Sequence, residues 1–317
     1  MCCFARPVRN VWSTQIFARL TGRTTQMLAY QMSYQSDQPN AMILPLPTAG
    51  TDEASLRFID LQSYASLFDD LNLGYPYRRA RGLGCSSETS ALIGASKLVV
   101  HEVGDYVASF VPTIKDFDRL DPQFRLPEGT WGSIPAYANF GFAVFQLAPT
   151  GPSNGLSTGT TGADIAARPH PMAFEFVTAT PQRLFFPTLH IHDGEVHERE
   201  RFDHLLYGQH AGLDARVGGY RNTHVADRRT GLVRSESNAS AFVDERRGSG
   251  LLVGDLLVHR QRLRGTLANR DTLWNAPGDP LDVPASPWRW AVPTTAAAAA
   301  TAAGAWFLRR RGRLIGR

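Results

Sequence analysis

The chain reads as an α+β protein, predominantly antiparallel β with a few short helices, carrying one transmembrane helix at its C-terminus. Three observations predict this. Apolar residues alternate with period two over several short segments bounded by Gly, Pro, Asn and Asp. Helical spacing is confined to brief stretches such as Leu61, Tyr64, Ala65, Phe68 and Leu71. Finally, eighteen uncharged residues, Ala291 to Leu308, lie between Trp288-Arg289-Trp290 and an arginine-rich end.

In chain order, residues 15–34 predict a hairpin turning at Thr21-Gly22-Arg23. Ala41 to Leu46 follows as a strand, and its prolines at 45 and 47 remove ladder donors, so it should be at an edge or stop there. Asp60 is placed to cap a helix that runs to Gly74. Residues 75–95 predict a surface loop, and Lys97 to Phe110 a hairpin turning at Gly104-Asp105. Thr113 caps a short helix, Trp131 to Tyr137 forms a single turn, and Gly141 to Leu147 returns to strand. The insertion at 149–171 joins two neighbouring strands; its Gly155-Leu156-Ser157-Thr158-Gly159 lacks the strand and helix that a nucleophile elbow needs. Met172 to Phe176, Arg183 to Ile191 and Glu195 to Tyr207 predict a meander. Residues 211–249 read as loops, and Leu251 to Thr266 as a last strand.

The chemistry concentrates between Thr188 and His210, which holds five of the nine histidines. Asp193-Gly194 is a two-residue hairpin signal. The register it sets opposes His192 to Glu195, Ile191 to Val196 and His190 to His197. One face then carries His190, His192, Glu195 and His197; the other carries Leu189, Ile191 and Val196, which should lie on the core and aim the histidines outward. Opposed Cβ atoms are about 5 Å apart, so His190 and His197, with His192 or Glu195, form a candidate site for a divalent metal: zinc, iron or manganese. The alternative is a solvated polar face without an ion. His204 and His210 are assigned structural or solvated roles, and His101, His204 or Asp203 could complete a closed ion site.

The formal charge is +4, but five arginines fall in the last nine residues; without them 28 basic groups (33 − 5) face 29 acidic ones. A near-neutral body excludes a basic nucleic-acid face. Three cysteines, Cys2, Cys3 and Cys85, make no disulfide framework. From Ala276 to Pro287 four prolines form a linker. The helix at 288–308 would be a membrane anchor and the membrane a partner, with residues 309–317 as a basic tail. Keeping that tail cytoplasmic would place the body outside the cytoplasm, for which the preferred explanation is a true start upstream of Met1; the alternatives are a tail that inserts post-translationally against its charge, or one that does not span.

Cys2-Cys3-Phe4, the strand pair over 15–34, Ala41-Met42-Ile43-Leu44-Pro45-Leu46-Pro47 and Phe58 to Leu71 resemble an uncharacterised bacterial envelope family. Its members carry a Cys-rich start, a Leu-Pro-x-Pro-like motif and a C-terminal membrane helix. The resemblance covers about the first 75 residues and the C-terminal architecture; it implies envelope location and no activity, and the chain departs from it in lacking a signal peptide. His190-Ile191-His192 with Glu195 is also similar to the first metal motif of cupins, although the glutamate comes too early and no second motif follows.

The resulting expectation is a β-rich body over residues 1–275, with loop insertions about 75–95, 149–171 and 211–249, a linker at 276–287 and a membrane helix at 288–308. Its expected function is a membrane-anchored envelope protein with a binding or structural role and a possible divalent ion on the histidines. The rival is a metal-dependent enzyme, a hydrolase or cupin-like oxygenase, using the same residues.

Overall fold

In the computed structural model the described residues are 3–22, 24–76, 101–150, 168–216, 226–227 and 230–275. The strands are β1 (Cys3–Phe4), β2 (Asn10–Thr21), β3 (Thr25–Gln35), β4 (Asn40–Leu46), β5 (Leu56–Ile59), β6 (His101–Val103), β7 (Tyr106–Val111), β8 (Gly141–Leu147), β9 (Met172–Val177), β10 (Arg183–Phe186), β11 (Arg199–Gln209), β12 (Val233–Arg234), β13 (His259–Ala268) and β14 (Thr272–Asn275). Two short α-helices accompany them, α1 (Leu67–Leu73) and α2 (Ala211–Arg216).

Seven strands form one sheet in the order β12-β13-β11-β2-β3-β9-β5, five form another in the order β1-β4-β8-β7-β6, and β10 pairs with β14. Every pairing between these strands is antiparallel except β11 with β2. The two large sheets meet through aromatic side chains: Phe58 and Phe174 of one stand 5.5 and 6.1 Å from Phe145 of the other. Each sheet is also covered on its far side. Met27, Ala29 and Ala173 pack with Tyr64, Phe68 and Leu71 around α1, while Ile43, Phe142 and Val144 pack with Phe117, Tyr137 and Ile191. Burial on both faces explains why β3 is buried at every position from Gln26 to Gln35. The polar members of that run need partners inside. Gln26 finds them by exchanging two hydrogen bonds with the backbone of Phe185, as a paired strand residue would.

Local signals were followed closely. The β2–β3 hairpin turns at Gly22 (φ 70°) and β6–β7 at Gly104 (φ 59°). Pro45 lies on β4 opposite Phe142 of β8, while the two-residue β1 covers β4 only at Met42 and Ile43. Among the described residues, the side where Pro45 has no N–H to offer therefore has no strand partner. The helix read from Asp60 onward splits: a 3₁₀ turn spans Gln62–Tyr64, with Asp60 Oδ1 accepting from the Gln62 N–H, and α1 follows, ending at Gly74. Thr113 precedes a 3₁₀ segment, Ile114–Arg119, and its hydroxyl donates to Asp116.

Several expectations are corrected. The β-rich architecture with few short helices holds, but the transmembrane helix in the predicted fold class does not. No helix among the described residues is long and apolar enough to cross a membrane. The longest α-helix among the described residues, α1, has seven residues, about 10 Å against a hydrocarbon core of about 30 Å. The segments assigned to linker, span and tail, 276–317, lie outside the described residues, as do Cys2, Cys85, the loop at 77–95 and most of 149–171. The strands flanking that last insertion, β8 and β9, belong to different sheets rather than being neighbours. The meander over 172–207 is absent: β9 lies between β3 and β5, β10 pairs with β14, and β11 lies between β13 and β2. The strand read from Leu251 starts at His259 instead, and β14 follows it.

Candidate functional site

The stretch between β10 and β11 turns at Asp193-Gly194, as its sequence demands: Gly194 has φ 90° and Asp193 Oδ1 accepts from the Glu195 N–H. The flanks are not strands paired to each other, however. Asn269, just past β13, donates from Nδ2 to both the His190 and the His197 carbonyls and accepts from the His190 N–H. It occupies the backbone groups that a hairpin would pair. Ile191 instead bridges to Cys3 of β1, and its carbonyl accepts from the Phe4 N–H.

Alternation still operates. Leu189 and Ile191 enter the core, so His190 points the opposite way. That side is not solvent but the face of β11 carrying Phe202 and His204. His190 and His204 are both fully buried. Their Nε2 atoms are 3.3 Å apart, and the Phe202 ring lies 4.2 Å from His190. The His192 ring stacks 5.1 Å from His190 and meets Phe4 edge-on. Of the four predicted ligands, His190 and His192 are thus brought together. His197 stands apart, exposed and bonded to Asp193 at 2.8 Å, and Glu195 is exposed.

Hydrogen bonding assigns the tautomers. The Asp203 N–H donates to His204 Nδ1 at 3.2 Å, so His204 carries its proton on Nε2 and donates to His190 Nε2. His190 then bears its proton on Nδ1, a buried donor without an acceptor among the described residues; His192 Nε2 is likewise buried without a partner. Burial, reinforced by the neighbouring imidazoles, pushes His190 and His204 far below the usual histidine range, and burial holds His192 at about 4. The three rings are a neutral array. His197 runs the other way, raised by its hydrogen bond to Asp193.

No group of three or more His, Cys, Asp and Glu among the described residues is arranged to hold a metal ion. The rings of His190 and His204 lie near-parallel, with their Nε2 atoms facing each other.

Beside the array lies a cleft of about 380 Å³. One wall is Val8 to Trp12, the other Glu200, Arg201 and Asp203, and His192 also lines it. Its origin is a break in the sheet. β2 and β11 pair in parallel only from Thr14/His204 to Arg19/Gln209. N-terminal to that point, β2 stays with β3 and β11 stays with β13, and among the described residues each has no strand partner on its other side. The strands diverge at a bulge between Trp12 and Gln15, where Ser13 takes φ 53°. Trp12 remains 37% exposed on the wall.

The loop bearing His190 is anchored by Asp271. Its half-buried carboxylate accepts from the Thr188 and Leu189 N–H groups and from the Tyr137 hydroxyl. Burial raises its pKa. Sequence reasoning missed Asn269 and Asp271, which carry no signal beyond an ordinary turn. His204 had one, because it alternates with the apolar Phe202 and Leu206.

The cleft and the array define a β-rich protein with a polar seat at a divergence of strands. No family model matches the chain. Among solved structures it is similar to baculovirus P35, at 12% identity and a TM-score of 0.36 over 88% of this chain and 100% of that one. A caspase-8/P35 complex gives 12% identity and 0.36 over 83% and 95%. A mutated baculovirus P35 after caspase cleavage gives 12% and 0.35 over 84% and 98%. These scores lie below the level at which a shared fold is inferred.

Proposed function

We propose that the protein is a binding module whose ligand sits in the cleft between β2 and β11. The observation that carries this reading is the opening of the parallel ladder at Thr14/His204, which leaves a cleft of about 380 Å³ between two strand edges. That volume falls within the range of ligand pockets, roughly 300–1,000 Å³. The walls combine a half-exposed aromatic ring, Trp12, with the charged side chains of Arg9, Glu200, Arg201 and Asp203. The adjoining histidines are neutral and their rings are fixed by stacking, so they support the wall without adding charge.

The test is a small-molecule fragment screen against the full chain labelled with ¹⁵N, following the Trp12 indole N–H, assigned through Trp12→Phe. Saturable movement of that resonance, weakened in Trp12→Ala, is the expected result. A screen in which ligands bind but leave this resonance still would refute the reading, as would a screen without binders.

A further inference from the structure

We infer that the cleft takes an extended segment of a partner polypeptide, which adds to the sheet as a strand between β2 and β11; this rests on the binding role proposed for the same cleft. The inference comes from where the main chain points. Residues of an antiparallel strand alternately direct their N–H and C=O groups to one neighbour and then the other. On β11 the Arg201 and Asp203 amides do not serve β13. They donate to nearby side chains instead, Arg201 N–H to Glu200 Oε2 and Asp203 N–H to His204 Nδ1, both at 3.2 Å. Two residues farther along, the strand meets β2, Leu205 opposite Gln15. The two amides therefore occupy the row that β2 would fill had it not swung away. Local side chains substitute at the long end of the hydrogen-bond range.

Donors two residues apart on a strand are spaced about 6.6 Å, which is the repeat of carbonyls along one edge of an extended peptide. A main chain laid in the cleft meets both, as in other strand-addition complexes. Side-chain charge argues the same way. Arg9 and Arg201 balance Glu200 and Asp203, with Arg9 held by Asp37 at 2.8 Å and Asp203 near Arg262 at 3.7 Å. A balanced wall selects weakly for ligand charge, and recognition falls to the backbone. Trp12 gives one apolar side chain of the segment a surface to cover.

The experiment uses the full chain and a library of capped peptides, each a Val- and Thr-rich stretch with one larger apolar residue. The best binder is remade with backbone N-methyl groups at alternate positions. Strand addition predicts that one parity loses roughly tenfold or more in affinity while the other binds nearly as before. It also predicts that the Arg201 and Asp203 amides become protected from exchange when the peptide binds. Equal tolerance of both N-methyl parities overturns the inference, as does failure of every peptide to saturate. If fragments still move the Trp12 indole while peptides do not bind, the cleft stands and only strand addition falls; if neither binds, both fall.

Discussion

Lowering the pH from 6.5 to 5.0 will cost this fold on the order of 3 kcal/mol through His190 and His204 alone. Both rings are fully buried and hydrogen-bonded to each other as neutral imidazoles, and burial depresses both pKa values far below 6.5. In the unfolded chain each takes up a proton as pH falls below about 6.5, whereas in the fold neither does. The unfolded state binds more protons over this window, so stability falls with pH by up to about 1.4 kcal/mol per unit for each histidine. Stability is complete above 6.5 and erodes downward from there. His197 contributes with the opposite sign, its pKa being raised, but it is exposed and weakly coupled to folding. The measurement is urea unfolding at a series of pH values for the wild type and for His190→Leu/His204→Leu. The double variant should lose most of the slope between pH 6.5 and 5. An unchanged slope would show that the array titrates in the native state.

Replacing Asp271 by alanine should destabilise the protein by roughly 3 kcal/mol or more, among the largest effects of a single substitution. One carboxylate satisfies two backbone N–H groups and a tyrosine hydroxyl. Alanine leaves all three without an acceptor, at about 1–3 kcal/mol for each that water cannot reach. Asp271→Asn keeps one oxygen for Thr188 and Leu189 and should recover a good part of the loss. Denaturant midpoints at neutral pH check both. A loss under about 1 kcal/mol for alanine would mean that water reaches the donors and that the loop is not anchored there.

Legibility in the sequence tracked the range of the interactions. The β2–β3 and β6–β7 hairpins, β8, the turn at Asp60 and the stop at Gly74 are local, and each was written in turn residues and alternation. Pairings between distant segments were not. β11 joins β2 across some 190 residues and β10 joins β14 across about 90, by register rather than by motif. The histidine stretch shows both sides of this. Its Asp-Gly turn forms, and His190 does lie opposite in direction to Leu189 and Ile191. The hairpin fails because Asn269 takes the carbonyls of His190 and His197, and His190 is buried because β11 covers the face that alternation alone assigns to water. Both-sided burial had the same effect on β3, whose polar positions are interior. The cleft was invisible for a related reason, since it depends on a bulge at Ser13 and on how far two parallel strands stay together.

The binding cleft depends on that separation of β2 from β11. Amide hydrogen exchange along β11 in the ligand-free protein tests it most directly. The predicted pattern is fast exchange at Arg201 and Asp203, slow exchange at Phe202 and His204, which face β13, and uniform protection from Leu205 to Gln209, where both neighbours are present. Protection at Arg201 and Asp203 equal to that at Leu205 and Tyr207 would mean that the ladder is closed, and the binding cleft would be contradicted.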